Sequence, residues 1–383
     1  MKKVSIIGAG ISGLYIANLL LQNSEYEITI YEKNNSIKLE KGYGIQLSVN
    51  SVKLLNKIGF QNINSVDKFN PSKLDFYTLK NSKKICDLNL SIFNDKELKY
   101  TTIQRSVLIK FLKEKIPSNL INYNKKVVKA EQQLKKIKIS FEDNSIIECD
   151  YLIICDGVFS STKSLIAKKK IKPKYFNSIA IRATINKDHI TKLNQNNISL
   201  FLGSNLHSVI YPISESNEFN FIAILKKKLT KEELSNYSLL DDKTFISSII
   251  SEISKKIDTK IIDNLKDVMC FPIFVSKEIY IPKNRNIFLI GDAFFAFPPT
   301  FAQGASQSVE VAYELYANLQ KNQNDFNTQR IQRTKMIYKK SKFNYFIFHI
   351  SNPLIVFIRN LVIKYLVKNT KFINSYLGKI YKN

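Results

Sequence analysis

Residues 6–15 read IIGAGISGLY, and the spacing of their glycines decides the fold. A short apolar run, Val4 to Ile7, reads as a strand. Gly8, Gly10 and Gly13 give G-x-G-x-x-G, and an apolar helical pattern follows at Leu14, Ala17, Leu20 and Leu21. Gly8 permits a tight turn out of the strand, and Gly10 lets the backbone approach a pyrophosphate. Gly13 lets the helix pack on the strand, so that its N-terminal amides point at the phosphates. A second apolar strand, ITIYE, ends at Glu32, where an acid binds ribose hydroxyls. Strand before, helix after and acid in place predict a bound dinucleotide.

Working outward, 383 residues exceed one typical core, so two domains are expected. A hydrophobic content of 44% with both signs of charge throughout argues for a soluble globular protein. The net charge of +26 invites a nucleic-acid reading, but only six of the 58 basic residues are arginine, the usual reader of guanine edges. A lysine-rich solvated surface is the plainer account, and no specific nucleic-acid partner is expected. Anionic substrates should still be attracted, more weakly as salt rises. Cys86, Cys149, Cys155 and Cys270 form no C-x-x-C and no metal-ligand spacing with His189, His207 and His349. They read as buried, reduced thiols of a cytosolic protein without a metal site. No signal peptide is visible, and the apolar run FIFHISNPLIVFIRNLVIKYLV is broken by His349, Pro353, Arg359 and Lys364, so no membrane span is expected.

Apolar strands closed by a glycine turn recur near residues 8, 156 and 292, and in a mostly parallel sheet such ends gather along one edge. The expected class is α/β. A discontinuous, Rossmann-like nucleotide domain takes residues 1–73, 101–173 and 282–325. An inserted, mainly antiparallel substrate sheet takes 74–100 and 174–281, and a basic, partly amphipathic helical region takes 326–383. Helices are expected from Ser106 to about Lys115, around 231–257 and from about Gln303 to Leu319.

Five motifs, in order, resemble the single-component FAD-dependent aromatic hydroxylases, the class of para-hydroxybenzoate hydroxylase. The match is closest to the branch of salicylate hydroxylase and 6-hydroxynicotinate monooxygenase. The motifs are GAGISG with Glu32, GIQLSVNSVKLL, Gln104-Arg105 opening a helix, CDGVFSSTK, and GDAFFAFPPTFAQGASQSVE. The chain departs from the family pattern at Val49 (usually proline), Lys163 (arginine), Phe295 (histidine), Ala302 (glycine) and Val311 (aspartate). The resemblance implies a GR2-type FAD-binding domain holding FAD non-covalently through Gly8, Gly10, Ile11, Ser12, Gly13, Glu32, Lys33, Arg105, Val127, Asp156, Gly157, Asp292, Pro299, Gln303, Gly304 and Ala305. Asp292 would accept bonds from the ribityl chain, and the Gln303–Ala305 helix start would stabilise reduced flavin. Asp156 either binds the cofactor or holds a turn beside it.

With no second G-x-G-x-x-G, NAD(P)H is expected to dock transiently. The resemblance implies hydroxylation of a small aromatic, anionic compound by O2 through a flavin C4a-hydroperoxide. His207 and Tyr211, four apart in HSVIYPI, lie on one face of a strand; either binds or deprotonates a phenol, or both simply pack. Arg182 positions a carboxylate or sits in a structural ion pair. Gln46 is expected near the substrate or the flavin ring. Rival readings keep the fold: a quinone-biosynthesis hydroxylase, an isoprenoid epoxidase, or a protein that binds FAD without hydroxylase activity. Tryptophan halogenases are disfavoured, since the chain has no tryptophan. The C-terminal basic helices are expected to cover the core, with weak membrane-surface contact as the alternative. Sequence leaves the oligomeric state open.

Overall fold

In the computed structural model, which describes residues 1–37, 39, 44–133, 136–235, 242–321 and 326–381, strand β1 (Lys2–Ile7) is buried from Val4 onward on both faces. A strand so enclosed needs cover on each side, as in a parallel sheet. The sheet has the order β18-β12-β1-β2-β8, with β2 (Tyr26–Tyr31), β8 (Ile121–Asn122), β12 (Tyr151–Ile154) and β18 (Ile287–Leu289). Every pairing in it is parallel. Alternation divides its two faces. Val4, Ile6, Ile28, Ile30 and Ile153 pack on helices α1 (Ile11–Leu20), α2 (Val49–Asn56), α3 (Arg105–Glu114) and α9 (Gly304–Lys321). Ile7, Leu152, Ile154 and Leu289 pack on an antiparallel meander of β9 (Val127–Gln133), β10 (Lys136–Phe141) and β11 (Ile146–Cys149). Because β18, β12 and β1 are neighbours, the turns that follow them meet at one edge.

The second sheet has the order β17-β13-β16-β15-β14-β5-β6. Its strands are β5 (Lys73–Thr78), β6 (Lys84–Asn89), β13 (Lys174–Asn186), β14 (Ile198–Gly203), β15 (Leu206–Pro212), β16 (Glu218–Lys226) and β17 (Lys266–Val275). It is antiparallel except where β14 runs parallel to β5. One face, with Ile179, Ile181, Phe221 and Leu225, is covered by α6 (Lys243–Ser254) and α7 (Thr259–Ile262). The opposite face, with Leu200, Val209 and Ile222, lines a cavity. A small sheet of β3 (Gly44–Leu47), β7 (Thr101–Gln104) and β4 (Lys68–Phe69) joins the two larger ones. There Gly44 N donates to Asn220 Oδ1 at 2.6 Å. A side chain on Gly44 would fall 2.7 Å from Asn220, so this close approach requires glycine.

The helix expected around 231–257 is divided. Helix α5 (Lys231–Ser235) precedes α6, which Asp242 caps by accepting from Thr244 N and Phe245 N. Between them, residues 236–241 lie outside the described residues. Two short helices, α4 (Ser161–Ala167) and α8 (Gly291–Phe294), follow β12 and β18. The chain ends in α10 (Phe326–Phe348), α11 (Pro353–Leu366), α12 (Thr370–Ile373) and α13 (Lys379–Tyr381). Of the four cysteines, all free, Cys86 is only half-buried, contrary to the expectation of four buried thiols. It sits on β6, an edge strand with no further strand beside it among the described residues.

Candidate active site

Steric necessity builds the first half of the site. Gly8 takes φ +105°, and a Cβ there would lie 2.7 Å from the Cys155 carbonyl oxygen on the neighbouring strand end. A Cβ on Gly13 would lie 2.0 Å from the Gly8 oxygen, so the helix reaches the strand only without a side chain there. Gly10, by contrast, has nothing among the described residues within 4 Å of its Cβ direction, leaving the space an approaching ligand needs. Ile11 is half-buried at the start of α1, and Ser12 turns inward to donate from Oγ to the Ser308 carbonyl at 3.2 Å. At the end of β2, Glu32 accepts from Ala9 N at 3.0 Å through Oε2 and from Asn34 N at 3.0 Å through Oε1. Its carboxylate is thereby fixed beside the glycine turn. Lys33 is exposed. Val127 has its side chain in the core beside Tyr31 and Phe141, which leaves only its backbone to a ligand.

The turn after β12 carries Asp156 and Gly157. Asp156 Oδ2 accepts from Thr162 N at 3.3 Å, while Oδ1 is sealed from solvent and has no hydrogen-bond partner among the described residues. Burial raises its pKa. Gly157 takes φ +86°, with open space where a side chain would stand. After β18, Asp292 projects into the cavity. Its side chain is open to the cavity space but enclosed by protein around it. That enclosure pushes its carboxyl up to about 6, against the opposing charges of Arg105, at the start of α3, and Lys163. Lys163 is itself buried and donates to the Ala293 carbonyl at 3.0 Å.

The cavity, of about 480 Å³, brings together Asp292, Pro299, Gln303, Gly304 and Ala305 with all four residues expected to meet substrate: Gln46, Arg182, His207 and Tyr211. The N-terminus of the 18-residue α9 opens on it, placing unpaired backbone amides and the positive helix end toward the space. His207 Nδ1 lies 2.8 Å from His349 Nε2. Burial holds His207 well below its ordinary pKa, with His349 adding to the effect, and burial pulls His349 down to about 4. Both imidazoles are therefore neutral near pH 7. Burial raises the Tyr211 phenol, which stays protonated although Arg182 pulls it down.

Sequence reasoning missed several members of the site. Tyr100 donates to Gln46 Oε1 at 2.7 Å and lines the same cavity. Behind α9, Glu310 accepts from Arg330 at 3.0 Å, from Arg333 at 2.7 Å and from Asn50 at 2.8 Å. Arg330 also donates to Gln307 at 2.7 Å. This buried network ties α10 and α2 to the helix whose start faces the cavity. Its members stand 20 to 260 positions apart, so no local pattern marks them. The motif departures are absorbed by packing. Phe295 is buried against Phe297 and Tyr338, and Val311 lies in the core where an aspartate would be stranded. Ala302 takes φ +50°, a conformation that glycine adopts more easily.

The open glycines, the unpartnered Asp156 oxygen, the enclosed Asp292 carboxyl and the α9 N-terminus fit a flavin dinucleotide laid across the three strand ends. Residues 1–330 match the family model described as the FAD binding domain, and the chain belongs to that family. It is 22% identical over 316 residues to a 3-amino-4-hydroxybenzoate 2-monooxygenase of Streptomyces platensis, covering 82% of this chain and 78% of that protein. It is 23% identical over 313 residues to the 6-hydroxynicotinate 3-monooxygenase of Pseudomonas fluorescens, covering 80% of each. Among solved structures, Klebsiella pneumoniae HpxO complexed with FAD and uric acid has the same fold, with a TM-score of 0.82, 18% identity and coverage of 99% of this chain and 96% of that one.

Proposed function

We propose that this chain is an FAD-dependent monooxygenase that hydroxylates a small, anionic aromatic or heteroaromatic compound using NAD(P)H and O2. The observation that carries this reading is the single cavity shared by Asp292, the start of α9, and the set Gln46, Arg182, His207 and Tyr211. When bound, FAD supplies the redox chemistry, accepting a hydride from the nicotinamide and activating O2 to deliver one oxygen atom to the ring. The protein's share is binding, orientation and charge. Gly8, Gly10 and Gly13 would shape the phosphate turn, Glu32 and Asp156 would provide acceptors, and Asp292 and the α9 amides would hold the flavin end.

On the substrate side, Arg182 offers a guanidinium to a carboxylate or phenolate. Tyr211 remains protonated and donates a hydrogen bond rather than acting as a base. His207, held neutral, can accept a hydrogen bond from a ring hydroxyl, and the 2.8 Å contact with His349 fixes the orientation of its ring. Gln46, held by Tyr100, has a fixed orientation for contact with the ring. Apolar walls from Leu200, Val209, Ile222 and Phe301 exclude water from the reacting pair.

The test is NADH and NADPH oxidation by the purified FAD-loaded protein against a panel of aromatic acids, with product masses measured. Oxidation stimulated by a substrate, with an oxygen-atom gain of about 16 mass units, is the expected result. Slow, substrate-independent consumption without product would instead identify a flavoprotein that has lost hydroxylase activity. Failure to take up FAD would overturn the reading as a whole.

A further inference from the structure

Helix α11 is built inside out. Leu354, Phe357, Ile358, Leu361, Val362 and Tyr365 recur at the three-and-four spacing that ordinarily turns a helix face inward, yet they are between 47% and 70% exposed. Its one buried residue is Arg359, whose Nη1 donates to the Ile347 carbonyl at 3.3 Å and whose Nη2 donates to Asn360 Oδ1 at 2.9 Å. Near the end of α10, Phe343 and Phe346 are also exposed, at 55% and 66%. A continuous apolar stripe of this kind on one helix marks a surface made to be covered.

We propose that the outward face of α11 docks on an anionic lipid surface, lying flat in the interface without crossing it. Charge selects this occupant. Residues 326–383 hold twelve lysines and arginines and not one aspartate or glutamate; Arg330, Arg333 and Arg359 are turned inward, so the lysines carry the surface charge. Lys364 follows Leu361 one turn along the helix, Lys368 lies just past its C-terminal end, and Lys342 stands beside Phe343; all three are exposed. Apolar residues flanked by lysines are the pattern of an interfacial helix, in which side chains enter the acyl boundary and the ammonium groups meet anionic headgroups. A second copy of this chain fits poorly, because a two-fold contact would set these lysines against each other with no acid to offset them. At 14 residues, α11 is too short to span a bilayer, and no helix among the described residues is long and apolar enough to do so. The inner side of the same helix, at Ile363 and Leu366, lines the cavity, so docking would set the cavity wall against the lipid.

The test is flotation of the full-length, FAD-loaded chain with phosphatidylcholine vesicles that contain or lack phosphatidylglycerol. The protein is expected to float with the anionic vesicles at low salt and to be released as salt rises. The double substitution Phe357→Ser/Leu361→Ser, on two exposed positions outside the cavity lining, should lower the partition coefficient about tenfold or more while FAD content stays unchanged. Because the chain contains no tryptophan, Phe357→Trp installs a single tryptophan, whose selectively excited emission should shift to the blue on anionic vesicles. Absence of flotation at low salt, equal flotation of the double variant, or an unshifted emission would overturn the proposal. So would a concentration-dependent dimer that the double substitution dissolves while vesicle binding is absent.

Discussion

In α1, nine of ten residues, Ser12 to Leu20, are buried; in α11, one of fourteen is, and it is Arg359. Both helices are rich in Ile and Leu, so their composition does not explain the contrast. Location does. Helix α1 lies on the parallel sheet with α3 and α9 packed beside it, and apolar cover on every side suits an apolar surface on every side. Helix α11 is the outer wall of the cavity, with protein on one side only. The cofactor edge is thus a place where close approach leaves no room for added atoms. The C-terminal face is a place where apolar surface is left uncovered and a charge is drawn inward.

The sharpest way to break this comparison is Gly13→Ala. With a Cβ forced to 2.0 Å from the Gly8 oxygen, the helix must move off the strand, at a cost of about 3 kcal/mol or more. Denaturant unfolding should register the loss, and the purified protein should be colourless. On the opposite face, Arg359→Met removes the donor to the Ile347 carbonyl and should cost about 1–2 kcal/mol in the same assay. A neutral result would mean that the buried guanidinium does not anchor α11.

Asp292→Asn tests the electrostatics of the cofactor edge. The folded carboxyl titrates near 6, above its unfolded value, so the protonated form favours folding. That contribution is fully present below about pH 4 and is lost as pH rises through about 6. The FAD-free variant should therefore be more stable than the parent at pH 7, with the difference vanishing below pH 4. Because the group is open to cavity water, the gain should be about 1 kcal/mol rather than the full value of the shift. At the seam between the regions, Ala302→Gly relieves the φ +50° conformation and should raise stability by about 0.5–1 kcal/mol, read as a higher melting temperature. The smallest effect belongs to Phe357→Ser/Leu361→Ser, which should leave stability within about 0.5 kcal/mol in solution, since both side chains are more than half exposed.

The glycine turn was legible in the sequence because its requirements are steric and local. Gly8, Gly13 and Glu32 stand where backbone geometry needs them, and Asp156 and Asp292 follow strands whose apolar runs are unbroken. The alternation in HSVIYPI likewise put His207 and Tyr211 on one face, and both line the cavity. What could not be read depends on tertiary partners. The pairing of His207 with His349 spans 142 positions, and that of Tyr100 with Gln46 spans 54. Nor does hydropathy tell which side of α11 faces outward, because its apolar stripe would look the same against a core.

The strand order has a consequence for synthesis. In the parallel sheet β1 sits beside β12, with β18 next beyond, and in the other sheet β5 pairs with β14, more than 100 residues later in the chain. A ribosome moving at about 5–20 residues per second would leave β1 and β2 without their final neighbour for on the order of ten seconds or more. During that interval their unpaired edges are open to wrong partners, so both production yield and the need for chaperones should depend on how fast the stretch from 32 to 154 is translated. Slowing elongation there with rare codons should lower the soluble fraction without changing a single amino acid.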